Sequence, residues 1–214
     1  MPSPADLRSA IARDLRPARP LLPPSIRALM LVPIALATIV AVPATHFFRP
    51  DFAELGVVRA WGLSLAESLG GLLIVALALR ESIPGRALPA RVLALAFAGG
   101  LALPFVMLVL TTNRFTIGAA PGSEWSDAVI CFRTSVVAAV PALIGSTVLV
   151  ARAFPLRPGL AGALYGLGCG VMGDAGLRLF CDFSVPTHVI PAHGGAIVAA
   201  TVGGAIAAAI IPRA

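Results

Sequence analysis

Lysine is missing from this 214-residue sequence, so all 16 basic side chains are arginine. Charge is scarce altogether: 12% of residues are charged and 58% hydrophobic, with a mean hydropathy of +0.93. That balance excludes a soluble globular domain, and apolar runs along almost the whole length point to a membrane protein with several spans. The usual signatures of catalysis are lacking too. No phosphate-binding loop, HExxH, CxxC or GxSxG occurs, so the chemistry those spacings serve has no local support and an enzyme is not expected. Residues 1 to 25 are polar and proline-rich, without the short apolar core and cleavage site of a secretory leader, which predicts a cytoplasmic N-terminus.

What is present divides into a cytoplasmic segment over residues 1–25 and a transmembrane domain over residues 26–214. The apolar runs predict an all-α fold, a polytopic bundle of six spans in three hairpins, at about 26–48, 57–79, 92–111, 128–150, 159–181 and 188–211. Pro33, Pro104 and Pro141 fall inside these runs and could break them. Eleven arginines, at 8, 13, 16, 19, 27, 80, 86, 91, 152, 157 and 213, lie on the N-terminal side of the spans, and five, at 49, 59, 114, 133 and 178, on the other. This asymmetry predicts both termini in the cytoplasm and the connection 112–127, with Trp125 as an interfacial anchor, outside. Arginines at span boundaries explain the pI of 10.9 better than a nucleic-acid partner would, and none is expected.

Residues 3–16 carry helix signals of their own. Ser3 can cap, Pro4 suits the first helical position, Asp6 lies in the first turn, and Leu7, Ile11 and Leu15 recur on one stripe. Prolines at 17, 20, 23 and 24 then stop the helix and make an extended connector. The stripe suits a membrane surface, helped by Arg8, Arg13 and Arg16, or equally a groove on a partner protein.

Polar groups inside the spans must face protein or water. Glu67 lies in span 2, Arg133 near the outer end of span 4, and Asp174 and Arg178 stand four residues apart in span 5, where they can pair. All four fall in the outer halves of their spans and could form one polar cluster. Span 5 also carries Gly162, Gly166 and Gly170, the spacing that lets helix backbones approach closely. Cys131 opens span 4 and Cys181 closes span 5, so the predicted topology brings two thiols to one outer face, with Asp182, His188 and His193 nearby. Cys131, Cys181, His188 and His193 could bind a soft divalent ion, although their spacing matches no standard zinc motif. The thiols could instead form a redox-responsive pair, or all four could be inert residues at helix ends. Cys169, mid-span among glycines, reads as a small buried hydrophobe.

Three separated motifs, DLRPARPLLPP from Asp14, PLRPGLAGALYGLGCG from Pro155 and CDFSVPTHVIPAHGGAI from Cys181, resemble the NrsF-like anti-sigma factors, six-span proteins of the bacterial inner membrane. The resemblance runs over essentially the whole chain. It implies a protein that holds an extracytoplasmic-function (ECF) sigma factor at the membrane and frees it under metal or oxidative stress. It further implies that Cys131 and Cys181 are the sensing pair and that the N-terminal segment, through Leu7, Ile11, Asp14, Leu15 and Arg16, contacts the sigma factor on the cytoplasmic side. No resident cofactor is implied beyond a divalent ion held transiently at the cysteines. Many relatives place Trp just ahead of the span-6 His, where this chain has Ala192 before His193. The other reading is a small transporter for an ion or solute, but acidic pairs near the midplane are sparse.

Overall fold

The structure, a computed structural model, describes residues 3–14, 20–50, 52–111, 125–183 and 185–211. Among them every regular element is helical, and six helical stretches are long and apolar enough to cross a membrane. Helix α1 (Pro4–Asp14) precedes them. Span 1 is α2 (Pro24–Leu29) followed by α3 (Val32–His46); after the short α4 (Phe52–Leu55) come α5 (Val57–Glu81), α6 (Ala90–Thr111), α7 (Trp125–Ala151) and α8 (Pro158–Leu177) as spans 2 to 5. Span 6 is composite: α9 (Pro186–Val189), a π-helical turn (Ile190–Gly194) and α10 (Gly195–Ile210). The six predicted spans are thus present in order. Most of the expected outer connection, including Arg114 and Gly122, lies outside the described residues.

The prolines act unequally. Pro33 sits near the start of α3, and the helix breaks just before it at Met30 and Leu31, where a ring without an N–H crowds the preceding turn. Pro104 and Pro141, which could also have broken their spans, lie inside continuous helices. The Pro104 carbonyl also accepts Arg178 Nη2 at 2.7 Å, which ties α6 to the end of α8. Pro191 has a different effect. It stands in the π turn, whose wider winding accommodates the ring and brings His193 inward.

Helix α8 is the axis. Of its most apolar window 89% is buried, against 17% for α6. Its small residues explain this, because each face lies against another helix where a side chain would not fit. A Cβ on Gly162 or Gly166 would strike the backbone of α10 at Gly204 or Ala200, one on Gly168 would meet the Gly71 carbonyl of α5 at 2.5 Å, and one on Gly173 the Ser135 carbonyl of α7 at 2.7 Å. The last turn touches α3, with Gly176 against Thr38. Gly168, Gly170 and Gly173 also spell GxGxxG, but the string runs mid-helix without a preceding strand, and its glycines serve packing. Larger side chains fill the gaps between these contacts: Leu164, Tyr165, Leu167 and Met172 are all buried. The Tyr165 hydroxyl, which burial would otherwise strand, donates to the Gly204 carbonyl at 3.0 Å.

Candidate functional site

Two groups of polar side chains meet where α8 ends. Past Leu177 the chain makes a tight turn, and the Cys181 amide donates back to the Leu177 carbonyl at 2.8 Å. Arg49, from the end of span 1, clasps this turn: its amide donates to Leu179 at 3.0 Å and its guanidinium to the Arg178 carbonyl at 3.4 Å. The Cys181 thiol is thereby directed into the bundle, 3.3 Å from His188 Nε2 on α9. Cys131, one and a half turns into α7, completes a group whose ligand atoms all lie within 4.8 Å of one another.

The site is dry. Cys131 is 3% exposed, Cys181 6% and His188 0%, with Ala128, Leu177 and Ala192 packed around them and the Phe183 ring 4.6 Å from that of His188. The neighbouring Cys131 thiol and burial push the Cys181 thiol up to about 11. At neutral pH it therefore remains protonated, and it becomes a good nucleophile only when something withdraws that proton. Two sulfurs and an imidazole suit a soft divalent ion, whose ligand atoms would sit roughly 3.5–4 Å apart at ordinary zinc distances. The three residues fit such an ion after a small inward movement. They fit a disulfide equally in chemistry, since both thiols are free.

Beneath the thiols runs a chain of buried charges. Arg178 Nε donates to Glu67 of α5 at 2.5 Å and Nη2 to Asp174 at 3.0 Å, while the other Asp174 oxygen faces His193 Nδ1 at 2.5 Å. Asp174, four residues before Arg178, thus forms the expected pair, and the pair extends across three spans. His193 Nε2 and Glu67 Oε1 are buried without a hydrogen-bond partner among the described residues. The rings of His193 and His188 are 6.0 Å apart. The thiol group and the ionic chain are therefore neighbours.

Sequence reasoning proposed four ligands together, and the structure gathers three of them. His193 is drawn away by Asp174 and carried into the π turn, so it adjoins the thiol group instead of completing it. Arg133 likewise stands apart from the expected polar cluster. It is exposed on α7 and lines a groove beside α3. Cys169 is buried mid-helix near Ser146, as expected of a small core residue. On α1, Ser3 and Asp6 cap each other reciprocally, and Leu7 and Ile11 are 55% and 54% exposed. Of the other proposed contact residues, Leu15, Arg16 and the side chain of Asp14 lie outside what is described.

Two residues escaped sequence reasoning. Glu81 is buried at the opposite end of the bundle, pairing with Arg157 at 2.5 Å and accepting the Leu88 amide at 2.6 Å. An acid among Arg80, Arg86 and Arg91, at a boundary otherwise basic, was the available signal. His46, whose ring nitrogens lie 2.8 Å from Thr45 and 3.5 Å from Thr134, had none.

Six membrane-length helices packed around a glycine-lined axis define a multi-pass membrane architecture, with its buried polar chemistry concentrated at one end. Residues 11–213 match the NrsF family, described as negative regulator of sigma F, and the chain belongs to that family. Its members are regulators and not an enzyme class, so the chain is a negative regulator of a sigma factor. The match begins at Ile11, leaving the first two turns of α1 outside it. No curated protein and no solved structure matches the chain.

Proposed function

We propose that this protein is a membrane-bound anti-sigma factor that holds an ECF sigma factor at the cytoplasmic face of the bacterial inner membrane and frees it when Cys131 and Cys181 meet a metal ion or an oxidant. The family match over residues 11–213 carries the regulatory part of this reading. The arginine asymmetry supports cytoplasmic termini and thiols on the outer side. The exposed Leu7 and Ile11 stripe supplies an apolar face suited to a partner's groove.

Release starts at the thiols. Binding an ion would replace the thiol protons and pull α7, α8 and α9 together; oxidation would join the sulfurs and pass two electrons and two protons to an external oxidant. Either event moves Cys181 at the end of the axial helix. The Asp174–Arg178–Glu67 chain and the glycine contacts then carry that displacement to other spans, because packed interfaces shift between discrete arrangements.

Co-purification tests the reading. The sigma factor should be retained by wild-type protein in membranes and lost on replacing Leu7 and Ile11 by Asp, whereas C131S or C181S should retain it and fail to release it on cadmium or diamide treatment. Retention by the double Asp variant would end the assignment of capture to α1. Normal release from both serine variants would end the sensing role.

A further inference from the structure

A groove of about 640 Å³ runs between span 1 and span 4, open towards the side of the bundle, and its His46 end adjoins Phe180 beside the thiol site. Its walls are chiefly apolar, from Ile34, Ala41 and Val42 on one side and Ile130, Val137 and Pro141 on the other. Its hydroxyls are occupied locally: Thr38 donates to the Ile34 carbonyl at 3.0 Å and Thr45 to that of Ala41 at 2.9 Å. At one end stands Arg133, exposed and in no ion pair among the described residues. A guanidinium on the lipid-facing side of a span needs an anion or water near its head.

Its position decides which. Helical side chains lean towards the N-terminus of their helix, and the N-terminus of α7 is the end marked by Trp125, 73% exposed where an interfacial anchor belongs. Arg133 lies eight residues inside that end, about 12 Å along the helix axis, and reaches back towards the headgroups. From His46 to Ile34 the groove follows α3 for twelve residues, roughly 18 Å at helical rise. That length is close to one leaflet, half of a hydrocarbon core about 30 Å thick. A charged end at headgroup level joined to an apolar trough one leaflet long matches an amphiphile with an anionic head.

We propose that this groove is a binding site for one anionic phospholipid of the outer leaflet, its phosphate paired with Arg133 and one acyl chain lying between α3 and α7. Lipid binding here requires neither the thiols nor sigma-factor capture. Arg133 is thus a headgroup ligand rather than a member of the buried ionic chain, and its charge is met by the membrane itself.

The test uses the full-length protein reconstituted in bilayers of phosphatidylglycerol and phosphatidylcholine in a 1:3 ratio, released in mild detergent and weighed by native mass spectrometry. Wild type should retain one phosphatidylglycerol with at least tenfold preference over phosphatidylcholine. R133Q should lose that preference and R133K should keep most of it. A41F, which fills the trough without touching the charge, should reduce retention of both lipids. Equal retention of the two lipids by wild type, an R133Q variant indistinguishable from it, or a lipid-free dimer showing a second copy in the groove would each overturn the proposal.

Discussion

At the end of the bundle that carries the thiols, Glu67, Asp174, Arg178 and His193 have side chains no more than 6% exposed and are bonded to one another across three spans. At the opposite end Glu81 is as deeply buried, but its partner Arg157 is 48% exposed, and Arg80, Arg86, Arg91 and Arg152 stand close to one or the other in sequence. Arg27, donating to the Leu149 carbonyl, is the buried exception there. The same residue types thus do different physical work at the two ends. A desolvated chain holds its members strongly because neither charge has water to return to, whereas an ion pair with one wet partner is screened and replaceable. The first arrangement suits transmission of a local event through the bundle. The second suits a face that must exchange contacts with solvent, headgroups or a partner.

The largest expected effect comes from breaking the dry chain. R178L leaves Glu67 and one Asp174 oxygen buried without their cation, and should lower stability by about 3–5 kcal/mol, read as a drop in denaturation midpoint in detergent. Adding E67L to R178L should recover part of that loss, since it removes the stranded Glu67 charge and leaves only the Asp174 oxygen that had faced Arg178 without its partner. A destabilisation below about 1 kcal/mol for R178L alone would mean that water reaches this end after all, and the contrast would fail.

Next in size is the packing beneath both ends. G168V would drive a side chain into the Gly71 carbonyl and Val75 of α5, which we expect to cost roughly 1–3 kcal/mol. G99A, on the open face of α6 with nothing within 4 Å of the added carbon, should be neutral or slightly stabilising. A G168V protein as stable as wild type would show that α8 is not the axis.

How far the sequence could be read follows from these same residues. The six spans were legible because hydropathy alone makes them, and the pairing of Asp174 with Arg178 followed from helical spacing. Gly162, Gly166 and Gly170 announced one close face of α8, but Gly168, Gly173 and Gly176 pack on three other helices, and no single spacing encodes a helix surrounded on all sides. The meeting of Cys131 with Cys181 followed from topology. The diversion of His193 did not, since it depends on a π turn at Pro191 that changes which way one imidazole faces. Arg133 was misplaced for a similar reason: depth in the membrane can be counted along a sequence, whereas the side of the helix that meets protein cannot until the partners are known.

Smaller, and confined to the thiol end, is a dependence on pH. Cys181 is held near 11 in the folded protein, above the ordinary range for a thiol. Its alkylation rate in the folded state should therefore keep rising, close to tenfold per pH unit, beyond the point where a free thiol levels off. The sign for stability follows: the folded state keeps a proton that the unfolded chain releases, so this contribution is present below the unfolded value and is lost as pH rises through about 11. A labelling profile that flattens near pH 8.5 would place Cys181 in water.

The smallest effect is expected at the Glu81 end, and it is the sharpest check on the contrast. Replacing Arg157 by Ala removes a side chain that is about half in solvent and leaves Glu81 still accepting the Leu88 amide. The loss should be about 1 kcal/mol or less, because the cation removed is half in solvent and screened there. Salt then separates the two ends without reference to absolute values. Between 0.1 M and 1 M ionic strength the screening length falls from about 10 Å to about 3 Å, so the difference between wild type and R157A should shrink towards zero. The difference between wild type and R178L should hardly move, because ions do not enter a site where Arg178 is 6% exposed and its acids 0%. If salt erased both differences alike, the two ends would share one electrostatic environment, and the buried chain could not be what carries a signal away from the thiols.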